Sequence, residues 1–77
     1  MINFSSGANS FDTSTLDGRT VREVLANAIL REQLSLRGDE TVRVRDAYGD
    51  LRTLSAGDTV KDGDEVMFER SGGTKGN

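Results

Sequence analysis

The residues of this chain that could take part in chemistry are carboxylates, arginines, lysines and hydroxyls, because the 77-residue sequence contains neither histidine nor cysteine. It therefore lacks the usual general base, a thiolate nucleophile and the imidazole and thiolate ligands of zinc. Carboxylates cluster at Asp58, Asp62, Asp64 and Glu65. Their spacing differs from the D-x-D-x-D-G pattern of a calcium loop, so we interpret them as turn residues or an acidic docking edge. No nucleophile and base pair is visible, and we predict a protein that is not an enzyme and has neither metal nor cofactor.

Three arginines are the candidate partner-binding residues. Arg43 and Arg45 alternate with valines in one predicted strand, and Arg52 lies in the next. If these strands pair, we expect the three side chains to share the open face of a sheet with nearby glutamates. Such a face is either a solvated surface or a contact for an acidic protein. Tyr48 lies in the turn between the two strands, where it is either a packing residue, an aromatic placed there by chance, or an anchor for a partner.

Two adjacent glycines, Gly72 and Gly73, follow the last predicted strand. They belong to segment 71–77, which has no apolar side chain to offset the entropy of ordering it, so we predict a flexible tail. A tail of glycines is narrow enough to thread an enzyme channel and present a carboxylate there. Here Thr74-Lys75-Gly76-Asn77 follows, so Gly73 would have a free carboxylate only after these four residues were removed.

Length and composition indicate one small domain, residues 1–70, followed by that tail. With 34% hydrophobic and 30% charged residues, the chain has the composition of a folded globular protein. Its net charge of −3 disfavours binding to nucleic acid or to anionic lipid. The sequence has no apolar run long enough to cross a membrane and does not begin like a secretory leader, so we expect a cytoplasmic protein.

Stretches of alternating polarity predict five β-strands, the first two joined as a hairpin by a turn at Gly7. They cover residues 1–5, 10–15, 41–45, 51–54 and 65–70. The side chains expected in the core are Ile2, Phe4, Phe11, Val21, Leu25, Ile29, Val42, Val44, Leu54, Val66 and Phe68.

A single amphipathic helix is predicted between the second and third strands. Thr20 and Glu23 have the spacing of a capping box, and apolar residues recur at helical spacing from Val21 to Ile29. We expect the helix to end near Gln33. A right-handed crossover through it would place the last strand parallel to the first. This order predicts an α+β fold of the ubiquitin-like β-grasp class, with a mixed four- to five-stranded sheet and one helix packed across it.

Three stretches resemble the small bacterial sulfur carriers that serve thiamine and molybdopterin synthesis. The segment TVREVL at residues 20–25, after Asp17-Gly18, looks like the start of their helix. The segment TVKDGDEV at residues 59–66 is similar to their closing x-x-V-x-D-G-D-x-V stretch, and Gly72-Gly73 falls where their glycine pair does. The resemblance covers nearly the whole chain.

The resemblance implies a non-catalytic carrier. In that family an E1-like enzyme uses ATP to adenylate the terminal glycine carboxylate, which then becomes a thiocarboxylate, and ubiquitin-like modifiers use the same activation to attach to lysines. For this chain the activated residue would be Gly73, with Gly72 beside it, after a processing peptidase had removed residues 74–77. The alternative is a protein-interaction or assembly module with an inert tail, which binds through its sheet face or an open strand edge.

Overall fold

The structure, a computed structural model, describes residues 1–69. This part of the chain forms five strands and two short helices. In chain order they are β1 (Ile2–Ser6), β2 (Asn9–Thr13), α1 (Val21–Ala26), α2 (Ala28–Leu34), β3 (Thr41–Arg45), β4 (Leu51–Leu54) and β5 (Glu65–Glu69). All five predicted strands are confirmed, with ends within two residues of the predicted ones. The predicted end of the last strand at Arg70 lies outside the described residues.

The strands form one mixed sheet in the order β2-β1-β5-β3-β4. Strands β1 and β5 are parallel, and the other neighbours are antiparallel. The predicted parallel pairing of the last strand with the first is therefore confirmed. Strand β5 therefore lies at the centre of the sheet, between β1 and β3.

The hairpin between β1 and β2 depends on Gly7. The pair Ser6 and Asn9 closes the ladder, so Gly7 and Ala8 form a two-residue loop. Gly7 has φ +59° and Ala8 has no positive φ. Glycine at the first loop position, followed by a residue with ordinary φ, is the pattern of a type II′ turn, whose twist matches that of the strands it joins.

The prediction of one continuous helix is wrong. Asn27 interrupts it with φ −71° and ψ 117°, an extended conformation, so that α1 ends before it and α2 begins after it. The interruption changes the helical phase. Leu30 is fully buried, whereas Ile29, which we expected in the core, is 62% exposed.

The core lies between the helices and one face of the sheet. At its centre, the rings of Phe4 on β1 and Phe68 on β5 stack with their centroids 6.0 Å apart. Of the predicted core residues other than Ile29, Phe11 and Leu25 are only partly buried, and the remainder are buried. The other buried hydrophobic residues of the core are Leu16, Val24, Leu30, Leu34, Leu36 and Val60.

Backbone hydrogen bonds join two loops, and they explain why two core residues outside the predicted strands and helix are buried. The N–H of Gly18 donates to the carbonyl of Val60 at 2.8 Å, and the N–H of Val60 donates to the carbonyl of Arg19 at 2.9 Å. This pairing satisfies the backbone of both loops and brings the side chains of Leu16 and Val60 into the core.

Candidate functional site

The sheet face opposite the helices, which we call the open face, carries two of the three predicted binding arginines. Arg43 and Arg45 lie on β3, where they alternate with Val42 and Val44, which point into the core. The guanidinium of Arg43 lies 3.5 Å from the carboxylate of Glu69. Arg45 makes a similar, longer contact of 4.0 Å with another β5 glutamate. On the open face, the charge of each arginine on β3 is therefore offset by a nearby glutamate on β5.

The expectation that Arg52 shares this face is wrong. The register of β3 and β4 pairs Arg52 with Val44, and cross-strand partners lie on the same side of a sheet. Arg52 therefore lies on the helix side, at the exposed edge of β4. The alternation within β4 requires the same placement, since Arg52 is two residues from Leu54 and Leu54 is buried in the core.

Tyr48 lies at the tip of the turn between β3 and β4 and is 92% exposed. The turn is well defined, because a side-chain oxygen of Asp46 accepts hydrogen bonds from the N–H of Tyr48 at 2.9 Å and from that of Asp50 at 3.1 Å. A second constraint is Gly49, whose φ of +87° suits glycine. The prediction that Tyr48 is a packing residue is wrong, because no other part of residues 1–69 covers its side chain. Its ring is presented to solvent from an ordered turn.

The acidic residues around residue 60 are turn residues. Asp58 and Asp64 each accept a hydrogen bond from the backbone N–H three residues earlier, at 2.7 and 2.9 Å. Asp62 accepts a hydrogen bond from the amino group of Met1. Within residues 1–69 we find no group of three or more acidic side chains arranged to hold a metal ion.

The glycine pair Gly72 and Gly73, together with the tail 71–77 that we predicted to be flexible, lies outside the described residues. The structure describes the point from which this segment continues. Strand β5 ends at Glu69 in the centre of the sheet, and Gly72 is the third residue after it. Strand β5, the last described element before the glycine pair, has a neighbouring strand on each side, β1 and β3.

A groove on the helix side was not indicated by the sequence analysis. Its walls come from α1, α2, the loop at residues 37–39 and the turn at Ala56. Arg22 and Ala26 lie one helical turn apart on α1, and both line the groove. Their spacing of four residues is the sequence feature that predicts a shared helix face. The contributions of Arg31 and Arg37 depend on the interruption at Asn27 and on the course of the following loop, which periodicity does not reveal.

Glu40, in the loop before β3, is a buried carboxylate, with 5% of its surface exposed. It accepts hydrogen bonds from the backbone N–H of Arg37 at 2.6 Å and of Gly38 at 2.9 Å. A buried carboxylate requires such donors, because water no longer solvates it. Glu40 therefore fixes the loop that forms one wall of the groove.

The pKa of Glu23 is lowered by hydrogen bonds within the capping box. The backbone N–H of Thr20 donates to its carboxylate at 3.0 Å, and the Thr20 hydroxyl donates to the same oxygen at 3.2 Å. These bonds lower the pKa of Glu23, and the nearby guanidinium of Arg19 lowers it further. The Glu23 N–H in turn donates to the Thr20 hydroxyl at 3.2 Å, which confirms the predicted capping box.

Comparisons of the chain with models of protein families, with curated proteins and with solved structures found no match. None of the helices within residues 1–69 is long and apolar enough to cross a membrane. The sequence resemblance and the geometry of the described residues are thus the grounds on which a function can be argued.

Proposed function

We propose that this chain is a ubiquitin-like β-grasp protein that acts as a sulfur carrier or as a protein modifier. In this role it is the substrate of an E1-like adenylating enzyme and does not itself catalyse a reaction. The observation that carries the proposal is the position of β5, which is parallel to β1 in the centre of the sheet and ends three residues before Gly72. A folded body whose central strand ends shortly before a glycine pair suits delivery of a C-terminal carboxylate to a partner's nucleotide site.

The chemistry requires a free carboxylate on Gly73. A peptidase would first hydrolyse the bond between Gly73 and Thr74. The Gly73 carboxylate would then attack the α-phosphate of ATP, release pyrophosphate and form an acyl adenylate on the partner enzyme. A donor of hydrosulfide would attack the acyl carbon and displace AMP to leave a thiocarboxylate, or a lysine amine would displace it, through the partner enzymes, to leave an isopeptide bond. ATP-dependent activation of this kind agrees with the expected cytoplasmic location.

The experiment is the intact mass of the untagged protein recovered from its native cell. We expect a species that ends at Gly73, alone or with one oxygen replaced by sulfur. The variant Gly73→Ala should prevent activation. The matched control Gly76→Ala changes a glycine of the same tail beyond the cleavage point and should leave processing unchanged. A single species that ends at Asn77, unaltered by ATP and cell extract, would contradict the carrier proposal.

A second candidate is an interaction module that binds a protein through the open face and the β3–β4 turn. Two exposed apolar groups favour it, since Tyr48 is 92% exposed and Leu51, the cross-strand partner of Arg45, is 42% exposed. Aromatic and arginine side chains are the residues that most often anchor protein contacts. Together with Arg43, these residues form a polar surface with an aromatic group at one end.

This candidate is tested by quantitative affinity capture from native cells with the full chain as bait. We expect Tyr48→Ala, or Arg43→Gln combined with Arg45→Gln, to reduce recovery of the partner. Arg52→Gln removes the same charge on the opposite face and should not. If Arg52→Gln reduces recovery as strongly as the open-face variants, the open face is not the binding surface. The mass of the recovered chain distinguishes the two candidates, because the module keeps its tail intact.

A further inference from the structure

The groove on the helix side of the domain concentrates positive charge on a protein whose net charge is −3. We call it the arginine groove. It has a volume of about 620 Å³ and is open to solvent. Its charged lining is Arg22 from α1, Arg31 from α2 and Arg37 from the following loop, with one carboxylate, Asp39. Its apolar lining includes Leu25 and two alanines.

The arginines of the groove differ from most others in the described part of the chain. Elsewhere, three arginines lie within 4.0 Å of a glutamate carboxylate, and these are Arg19, Arg43 and Arg45. Within residues 1–69, no carboxylate approaches the guanidinium groups of Arg22, Arg31 or Arg37 to that distance. The fourth arginine without such a partner is Arg52, which is outside the groove lining. Of the four guanidinium groups in residues 1–69 that have no carboxylate within 4.0 Å, three therefore line one surface.

The walls of the arginine groove are held in place by hydrogen bonds. The N–H of Arg22 donates to the carbonyl of Ala56 at 3.1 Å and so ties α1 to the opposite turn. The guanidinium of Arg31 donates to the carbonyl of Arg37 at 3.0 Å and so ties α2 to the loop. The buried carboxylate of Glu40 fixes that loop from below. A surface held in this way loses little conformational entropy when a ligand binds.

We propose that the arginine groove binds an extended acidic segment of a partner protein. Carboxylates of the segment would accept hydrogen bonds from Arg22, Arg31 and Arg37, and an apolar side chain between them would pack on Leu25. Arginine suits this role because its planar guanidinium can donate two parallel hydrogen bonds to one carboxylate. An open groove lined by both arginine and apolar side chains matches a peptide with alternating acidic and apolar residues.

A protein segment fits the observations better than nucleic acid does. A phosphate backbone presents a regular array of charges, and Asp39 within the lining repels those that fall beside it. An acidic peptide can place its charges only where the arginines are. This inference is independent of the carrier proposal, because the groove lies on the helix side and involves neither the tail nor the open face.

The test is an NMR titration of the full isotope-labelled chain with pools of short synthetic peptides. In one pool Asp and Glu alternate with Leu, Phe and Ser, and in the comparison pool Asn and Gln replace the acidic residues. We expect saturable shifts at the amides of Leu25, Ala26 and Gly38 with the acidic pool alone. Arg22→Gln should weaken binding roughly tenfold, the order of effect of losing one charged contact. The matched control Arg52→Gln should not.

Each other outcome would overturn the proposal. Equal shifts with the amide pool would show that charge does not determine binding, and equal weakening by Arg52→Gln would show that only net charge matters. Groove shifts produced by inorganic phosphate or by a single-stranded oligonucleotide, without any from the acidic pool, would identify a different ligand.

Arg31→Gln is a second variant that removes a groove arginine and should also weaken binding. The Arg31 side chain holds the loop as well, so this substitution also tests the stability of the fold. If it unfolds the chain, Arg22→Gln still decides the question.

Discussion

Asn27 caps the second helix by accepting a hydrogen bond from the backbone N–H of Leu30 through its side-chain oxygen, at 2.9 Å. The bond satisfies one of the amide groups that a helix start leaves without a partner. It also sets the rotation of α2 about its axis. As a result Leu30 enters the core, and Ile29, which would continue the apolar stripe of α1, points to solvent.

Replacement of the cap should destabilise the domain. We expect Asn27→Ala to lower the free energy of unfolding by about 1 kcal/mol, since alanine cannot accept the bond from Leu30. Asn27→Ser should retain most of the stability. Urea denaturation followed by circular dichroism measures both. Gln33→Ala, at an exposed position of α2, is the control and should change stability little. If Asn27→Ala is no more destabilising than the control, the interruption between the helices does not depend on this cap.

The two neighbouring residues of α2 should respond very differently to substitution. Leu30→Ala creates a cavity in the core and should cost about 2–5 kcal/mol. Ile29→Ala removes a side chain that is 62% exposed and should stay within about 0.5 kcal/mol of the parent. Thermal unfolding of both variants measures the difference. A loss at Ile29 as large as that at Leu30 would favour one continuous helix and contradict the phase change at Asn27.

Glu23 should give the capping box a pH dependence. Its pKa in the folded state is lowered from 4.5, chiefly by the backbone hydrogen bond from Thr20. A lowered folded-state pKa means that the stabilisation is fully present above the unfolded-state pKa and is lost as pH falls through the folded-state value. We therefore expect the parent to exceed Glu23→Gln in melting temperature at neutral pH and to lose that advantage on acidification below 4.5.

Two melting series, one for the parent and one for Glu23→Gln, measured between neutral pH and pH 3, test this expectation. The readout is the difference between the series, because other carboxylates titrate over the same range and cancel in it. An unchanged difference across the whole range would show that the ionised carboxylate does not contribute to the cap.

Alanine substitutions at Gly7, in the β1–β2 turn, and at Gly57, outside the hairpin, test the backbone conformation of that turn. A side chain at either position would meet no atom within 4 Å, so space does not distinguish them. Gly7 has φ +59°, however, and Gly57 has no positive φ. We expect Gly7→Ala to cost about 1–2 kcal/mol through backbone strain. Gly57→Ala should be neutral or slightly stabilising, because alanine restricts the unfolded chain. Equal effects in chemical denaturation would contradict the type II′ turn.

Local sequence patterns were sufficient to predict the strands and the start of the first helix. The alternation of Val42 and Val44 with arginines requires a half-buried strand wherever the sheet lies, since successive side chains of a strand point to opposite faces. The capping box of Thr20 and Glu23 involves residues only three apart and forms without help from the remainder of the chain. The same alternation in the last strand predicted Glu65 and Glu69 on the polar face that carries Arg43 and Arg45.

The tertiary structure decided the features that depend on register and on packing between distant segments. The pairing of β3 with β4 shows Arg52 on the helix side, and the two paired loops bury Val60. The arginine groove requires α1, α2 and the turn at Ala56 to meet, and the loop at Arg37 depends on the buried carboxylate of Glu40. Periodicity describes how residues lie along one element, whereas these contacts join elements far apart in the chain and form only when the hydrophobic core brings them together.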